Sequence, residues 1–224
     1  MLRSPGDSRC VHPLDYPGTP TREAGVLSAD GGWTPLRGGS PVHLLRGRTC
    51  VVAVGSNASP QVLHGKLAAA GACTDVPMAP YDLVGLAVAH SAHVSRGGYL
   101  PTAPYLAPGV HSRVVAAWLD GPALAAVDAT EPSYVRRDLP AAVTGAPVGG
   151  QVYVSRWGVL APAGVPLAPT TQAGVHTVLA RDPGLAALLP LGDPAATVAA
   201  LADGGVRRSV RARLERLGWV ADAW

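Results

Sequence analysis

The residues of this chain that could do chemistry are few, and two short stretches hold most of them. The first is Val54-Gly55-Ser56-Asn57-Ala58, which follows the apolar run Thr49-Cys50-Val51-Val52-Ala53 and precedes Ser59-Pro60. A glycine at 55 is expected to take φ > 0 and to let a ligand approach the backbone closely. The N–H groups of Ser56, Asn57 and Ala58 would then stand just before a helix N-terminus, where donors lack intrahelical partners. Such a place suits a carboxylate or a developing oxyanion, although an ordinary tight turn with a helix cap has the same signature. The loop fits neither the Walker A pattern nor G-x-G-x-x-G, so a nucleotide phosphate is not expected.

The second stretch runs from Leu124 to Arg137 and contains Glu131, one of only three glutamates in the chain. Glu23 lies in a segment without periodicity, and Glu215 sits on a basic helix one turn from Arg211, a pairing distance. Glu131 stands apart, because Pro132 disfavours helical backbone at the residue before it. Its side chain should therefore leave from the junction between a short helix and a strand. A glutamate held there beside apolar strands could move protons as a general acid/base. A salt bridge to Arg136 or Arg137 is the plainer alternative.

His90, Ser91 and His93 are a third group. Their spacing at a strand end turns the two imidazoles to different faces, and no acidic or cysteine ligand adjoins them, so no metal site is expected; they read as polar loop residues, with lining the pocket as the alternative. Ser91 or Ser95 with His93 lacks an acid, and a G-x-S-x-G elbow is absent. Cys50 and Cys73 are expected to act as small apolar residues.

The elements that must position these groups follow from period and punctuation. The run 49–54 reads as a buried strand. Ser59 and Pro60 open a helix as N-cap and first helical residue; it carries Val62, Leu63 and Leu67 on one face and stops near Gly71. Strands are expected at 83–89 and 113–119, separated by a loop-rich stretch. A short helix starts at Gly121-Pro122 and ends before Pro132, and strands follow at 134–143 and 150–155. From about Thr171 the chain becomes helical, with Asp182-Pro183 and Asp193-Pro194 repeating the cap-plus-proline signal. Residues 1–46 read as an irregular arm with one short hairpin near 26–33, residues 47–170 as an α+β core, and 171–224 as a helical extension packed on the same domain. Non-local strands interrupted by short helices fit an α+β fold better than a βαβ repeat.

Composition narrows the classes. At 224 residues with 48 % hydrophobic and 15 % charged residues, the chain is too apolar to be disordered. The bias toward Ala, Gly, Pro, Val and Arg, with Lys66 the only lysine, reads as the coding bias of a GC-rich genome. The net charge is +3, but the arginines are spread along the chain, and the only dense group is Arg207, Arg208, Arg211, Arg213 and Arg216, among Val206, Val210, Leu214 and Leu217 at helical spacing. That pattern reads as a surface helix with a solvated basic face, and nucleic acid is not expected as a partner. Three cysteines without CxxC spacing argue for a reducing compartment. The opening residues lack the apolar run of a signal peptide, and no run approaches the ~18 residues of a membrane span. A cytoplasmic protein is expected.

VAVGSNASPQVLHGKL resembles the opening of the γ-glutamylcyclotransferase and AIG2-like family, a short strand running into a YGSN turn. VDATEPSYVRRDL resembles that family's later Leu-Asp, Glu and Tyr-x-Arg stretch, and GYLPTAPYLAPGVHSRVVAAWLD its intervening strand. The resemblance covers roughly residues 49–155. It implies a mixed β-barrel with short helices, here followed by a helical tail. It also implies release of 5-oxoproline from a small γ-glutamyl compound, without metal or cofactor. Glu131 would be the catalytic acid/base, and Val54, Gly55, Ser56, Asn57 and Tyr134 would bind substrate in a pocket shared with Glu131. Val54 stands where the family has tyrosine, so Tyr99, Tyr105 or Tyr134 would have to supply that hydroxyl. Val127-Asp128 replaces the Leu-Asp pair, and Pro132 replaces a usual glycine.

Overall fold

Alternate buried residues along neighbouring strands join two different apolar clusters, which assigns two faces to one sheet. In β3 (Thr49–Ala53), Val51 and Ala53 point to one side and Cys50 to the other; in β5 (Thr102–Leu119), Val115, Ala117 and Leu119 oppose Ala116 and Trp118 in the same way. Successive side chains of a strand leave on opposite sides, so this pair alone defines two apolar layers. The computed structural model describes residues 12–37 and 42–224. Cys10 and the first part of the expected arm lie outside them.

The chain divides into two compact units. The first comprises Pro17–Ala87 and Leu106–Val154. Besides β3 and most of β5 it contains β1 (Gly25–Leu27), β2 (Trp33–Pro35), α1 (Val42–Leu45), α2 (Pro60–Ala69), most of β4 (Val76–His90), α3 (Gly121–Thr130), β6 (Tyr134–Asp138) and nearly all of β7 (Gln151–Ser155). Seven strands form one mixed sheet in the order β2-β1-β4-β5-β3-β7-β6. β3 pairs antiparallel with β5, Thr49 opposite Leu119 and Ala53 opposite Val115, and parallel with β7 through Val51–Gln151 and Val52–Val152. Leu63 and Leu67 of α2 and Ala123, Ala126 and Val127 of α3 bury against the Val51/Ala53 face.

The sheet is α+β in character but open, which corrects the expected barrel. After β6 the chain returns to β4 at a single bridge, Val84–Thr144. The returning stretch holds Pro140 and Pro147 with Gly145, Gly149 and Gly150. Prolines cannot donate to a ladder, so a continuous closing strand cannot form. The same chemistry ends β6 at Asp138, short of the expected 143. The hairpin near 26–33 is present as β1 and β2, and β1 lies beside β4 in the sheet, so this part of the segment read as irregular belongs to it.

The stretch expected to be loop-rich is strand from Thr102 onward. Pro104 and Pro108 are tolerated because β3 pairs only with Val115–Leu119, which leaves the proline-bearing part of β5 without that neighbour. α2 begins with Pro60 at its first position, and Ser59 is its N-cap by backbone position, although its hydroxyl bonds Gln61 rather than a cap amide.

The second unit comprises His12–Tyr16, Val88–Tyr105 and Ser155–Trp224. It adds β8 (Val159–Leu160), α4 (Gln172–Leu179), α5 (Pro183–Leu188), α6 (Pro194–Leu201), α7 (Gly204–Arg216) and β9 (Val220–Ala221), with β8 and β9 antiparallel. The side chains of Asp182 and Asp193 cap α5 and α6, each with proline at the next residue. The Val206, Val210, Leu214 and Leu217 stripe of α7 packs into a core with Leu179, Leu185 and Leu201.

The arginines of α7 are less solvated than expected. Arg207 donates to the Ala202 carbonyl, Arg211 donates to the carbonyls of Ala92 and Trp157 and pairs with Glu215, and Arg213 grips Asp182 with two bonds of 2.8 and 2.6 Å. Arg208 and Arg216 are the exposed pair. Arg211→Gln should therefore lower the melting temperature while Arg208→Gln leaves it unchanged; equal melts would show that the Arg211 contacts contribute nothing.

Gly98 has φ +83°, and a Cβ there would overlap the Val198 carbonyl oxygen of α6. Gly98→Ala should cost on the order of 3 kcal/mol through backbone strain and overpacking, read from denaturant unfolding. An unchanged midpoint would contradict this close approach.

Candidate functional site

The strand–turn–helix at 49–69 and the end of α3 meet within the first unit because α2 packs against α3. Glu131 is the C-cap of α3, with φ −114° and ψ 47°, the non-helical backbone that Pro132 demands. Its N–H donates to the Asp128 carbonyl, and its own carbonyl accepts from the Tyr134 N–H at 3.0 Å. Those two bonds and the proline ring hold the residue on a rigid junction.

The Glu131 carboxylate meets Asn57 and Lys66. Oε1 accepts from Asn57 Nδ2 at 3.0 Å and from Lys66 Nζ at 2.8 Å, while Lys66 also donates to Asn57 Oδ1 at 2.7 Å. The ring of contacts sets the amide orientation, since an ammonium needs an oxygen and a carboxylate needs an N–H. Side-chain exposures of 12 % for Lys66 and 14 % for Glu131 show that both are largely withdrawn from water yet still reach it. Glu131 Oε2 and the third Lys66 proton have no partner among the described residues. One oxygen is fixed and the other is open.

Arg136 and Arg137 do not take Glu131. Arg136 instead forms a two-pronged pair with Asp128, at 3.0 and 3.1 Å, and also donates to Gln151; Arg137 is exposed. Tyr153 of β7 donates to Asp128 Oδ1 at 2.6 Å. Burial by itself would raise the Asp128 carboxyl, but the bonds from Arg136 and Tyr153 outweigh it and hold the group below the usual carboxylate range. Burial, and then the bond to Asp128, push the Tyr153 phenol far up, so it stays a neutral donor. An ionised, braced Asp128 thus stands one helical turn before Glu131.

The turn itself differs from expectation in two ways. Gly55 has φ −135°, so it does not use the left-handed region. The Ala58 N–H is bonded to the Gly55 carbonyl at 2.9 Å, because Ser56–Ala58 is a 3₁₀ turn; only Ser56 and Asn57 remain of the three amides considered. Val54 lies between β3 and this turn, and Tyr134 packs partly buried against the sheet core. Among the tyrosines considered in place of Val54, Tyr99 stacks on Tyr16 within the second unit, ring centroids 4.6 Å apart.

Comparison with protein-family models, with curated proteins and with solved structures finds no match. Lys66 and Tyr153 are the residues that sequence reasoning passed over. Lys66 carried a signal, as the only lysine in an arginine-rich chain; Tyr153 carried none.

The second unit holds the histidine group. Both His90 nitrogens are used, Nδ1 at 3.0 Å from the Leu100 carbonyl and Nε2 accepting the Thr170 N–H at 3.1 Å, so its neutral Nδ1–H form is required. Ser91 Oγ lies 2.6 Å from His93 Nδ1 and 2.7 Å from Ser155 Oγ. Ser91 is wholly buried, so a substrate carbonyl cannot meet it as the chain stands. Among the described residues no three His, Cys, Asp or Glu side chains gather as a metal site. Cys50 is buried and its thiol is pushed up to about 12 by that burial, whereas Cys73 is exposed and 4.0 Å from His64 Nε2. No helix is long and apolar enough to cross a membrane among the described residues.

Proposed function

We propose that this chain is a γ-glutamylcyclotransferase-like enzyme, acting without metal or cofactor on a small γ-glutamyl compound. The observation that carries the reading is the 3.0 Å bond between Asn57 of the Gly55-Ser56-Asn57 turn and Glu131. It joins the two stretches through which the sequence resembles that family, 74 positions apart. The family's fold is part of the proposal; the open sheet with one returning bridge is compatible with an interrupted version of it.

The chemistry is balanced by one carboxylate. Glu131 Oε2 accepts a proton from the substrate's α-ammonium, and the freed amine attacks the γ-carbonyl carbon. The new C–N bond closes a five-membered ring and places negative charge on the carbonyl oxygen, for which the Ser56 and Asn57 N–H groups are the candidate donors. The bond to the departing nitrogen then breaks as Glu131 returns the proton to it, and the ring nitrogen gives up its second proton, which leaves with the amine as an ammonium. The products are 5-oxoproline and an amine, with no water consumed.

A screen of γ-glutamyl amides and peptides for 5-oxoproline release tests the proposal. Release by the wild-type chain supports it, and no release from any member of a broad panel removes it. A second reading, a domain that binds such a compound without turning it over, is favoured by the Lys66–Glu131 pair, which satisfies half of the carboxylate already. Free Cys50 and Cys73 suit the reducing, cytoplasmic setting that belongs to either reading.

A further inference from the structure

We propose that Lys66 and Glu131 together form a receptor for an α-amino-acid head group, with Lys66 the residue that makes a free α-carboxylate necessary. The inference rests on the proposed function only in placing the ligand at this site. It names which end of the ligand meets which residue.

The site holds unused hydrogen-bonding capacity of both signs. Lys66 Nζ has three protons and spends two, on Asn57 Oδ1 and Glu131 Oε1. Glu131 spends Oε1 on Lys66 and Asn57 and leaves Oε2 without a partner among the described residues. A positive donor and a negative acceptor are thus held side by side, at 2.8 Å, and both reach water. A free anion would gain from Lys66 and be repelled by Glu131, and a free cation the reverse. A ligand that carries an ammonium and a carboxylate on one carbon gains from both charges, and that is the α-amino-acid zwitterion.

Asn57 keeps this arrangement from collapsing. Its amide bridges the two charged groups and fixes where each spare bond points, so the receptor costs little ordering when a ligand arrives. The choice of lysine in a chain that otherwise uses arginine fits the same role. An ammonium can divide three donors among Asn57, Glu131 and a ligand, whereas a planar guanidinium would turn its fork to the carboxylate.

The test compares three probes on the full-length chain: γ-L-glutamyl-L-alanine, its analogue with the glutamyl α-carboxylate converted to a carboxamide, and glutaryl-L-alanine, which lacks the α-amine. Binding is measured by calorimetry, and 5-oxoproline or its amide by chromatography, for the wild type, Lys66→Met and Lys66→Arg. The wild type should bind the zwitterion roughly 10–100-fold more tightly than either analogue, the scale of one charged hydrogen bond. Lys66→Met should bring zwitterion and carboxamide to similar affinity while still preferring both over the glutaryl probe. Lys66→Arg should restore part of the carboxylate preference. If Lys66→Met is too unstable to study, Lys66→Gln with Glu131→Gln leaves no lone charge at the site and should bind all three probes alike. Wild-type chain that binds the three probes equally, or binds none, overturns the receptor, as does a carboxylate preference that survives in Lys66→Met. Selective binding without product supports Lys66 and removes cyclotransfer, while equal turnover of acid and carboxamide supports cyclotransfer and removes Lys66.

Discussion

Glu131→Gln should cut 5-oxoproline release by roughly 10²–10⁴-fold while affinity for the γ-glutamyl compound changes far less. Glutamine keeps the length and planarity of the side chain, and its carbonyl oxygen can still accept from Lys66. It cannot take a proton from the substrate's ammonium near neutral pH. The substitution also leaves the Lys66 ammonium without its counter-charge in a largely buried place, and removing one member of such a pair destabilises. The melting temperature should therefore fall modestly, not hold as an unpaired buried glutamate would suggest. If Glu131 serves only as the partner of Lys66, the melt falls and the activity of the folded protein stays near wild type. A binding-only protein shows no release before or after the change. Melting and product release on the same preparations separate these three cases, and a fully active variant would remove Glu131 from the chemistry.

Acid should weaken the second unit before it affects the carboxylates. His93 is buried, and that burial, with the Arg211 charge nearby, lowers it from an ordinary 6.5 to about 4. Burial lowers His90 and His176 as well. With the folded value below the unfolded one, the unfolded chain binds more protons between the two, so stability rises with pH across that window. It is fully present above about 6.5 and is lost progressively as pH falls toward 4. For His93 the whole travel is worth roughly 3 kcal/mol, with contributions of the same sign from the other two. Asp128, held low by Arg136 and Tyr153 despite burial, and Asp182, held low by Arg213, add their loss only at lower pH. Denaturant midpoints at intervals from pH 7.5 to 4 should fall below 6.5, and a flat profile down to pH 4.5 would refute the assignment. His176 is the sharper probe, since neither ring nitrogen has a hydrogen-bond partner among the described residues although the residue is buried. His176→Leu removes a buried polar ring of that kind. It should hold or raise the midpoint at pH 7 and flatten part of the acid slope.

The local grammar of the chain determined by itself where several of its helices begin and end. Pro60 opens α2, Pro132 ends α3 at Glu131, and Asp182-Pro183 and Asp193-Pro194 start α5 and α6, because caps and prolines act on the backbone within one turn. The α7 stripe was legible for a similar reason, since helical spacing alone determines which side chains share a face. Mixed α+β character followed from the order of these elements. The tertiary structure alone decided which distant groups meet. Lys66 reaches Glu131 only because α2 packs on α3, and Tyr153 reaches Asp128 only because β7 joins the sheet parallel to β3. The Arg136–Asp128 pair, which frees Glu131 for Lys66, and the seating of Arg207, Arg211 and Arg213 on internal partners were equally out of reach. The open sheet belongs with them, because the prolines at 140 and 147 prevent a ladder only where the returning chain meets β4. Which side chain meets which, whether 8 positions apart as in Arg136–Asp128 or 74 as in Asn57–Glu131, depends on how whole faces bury, and no local pattern encodes that.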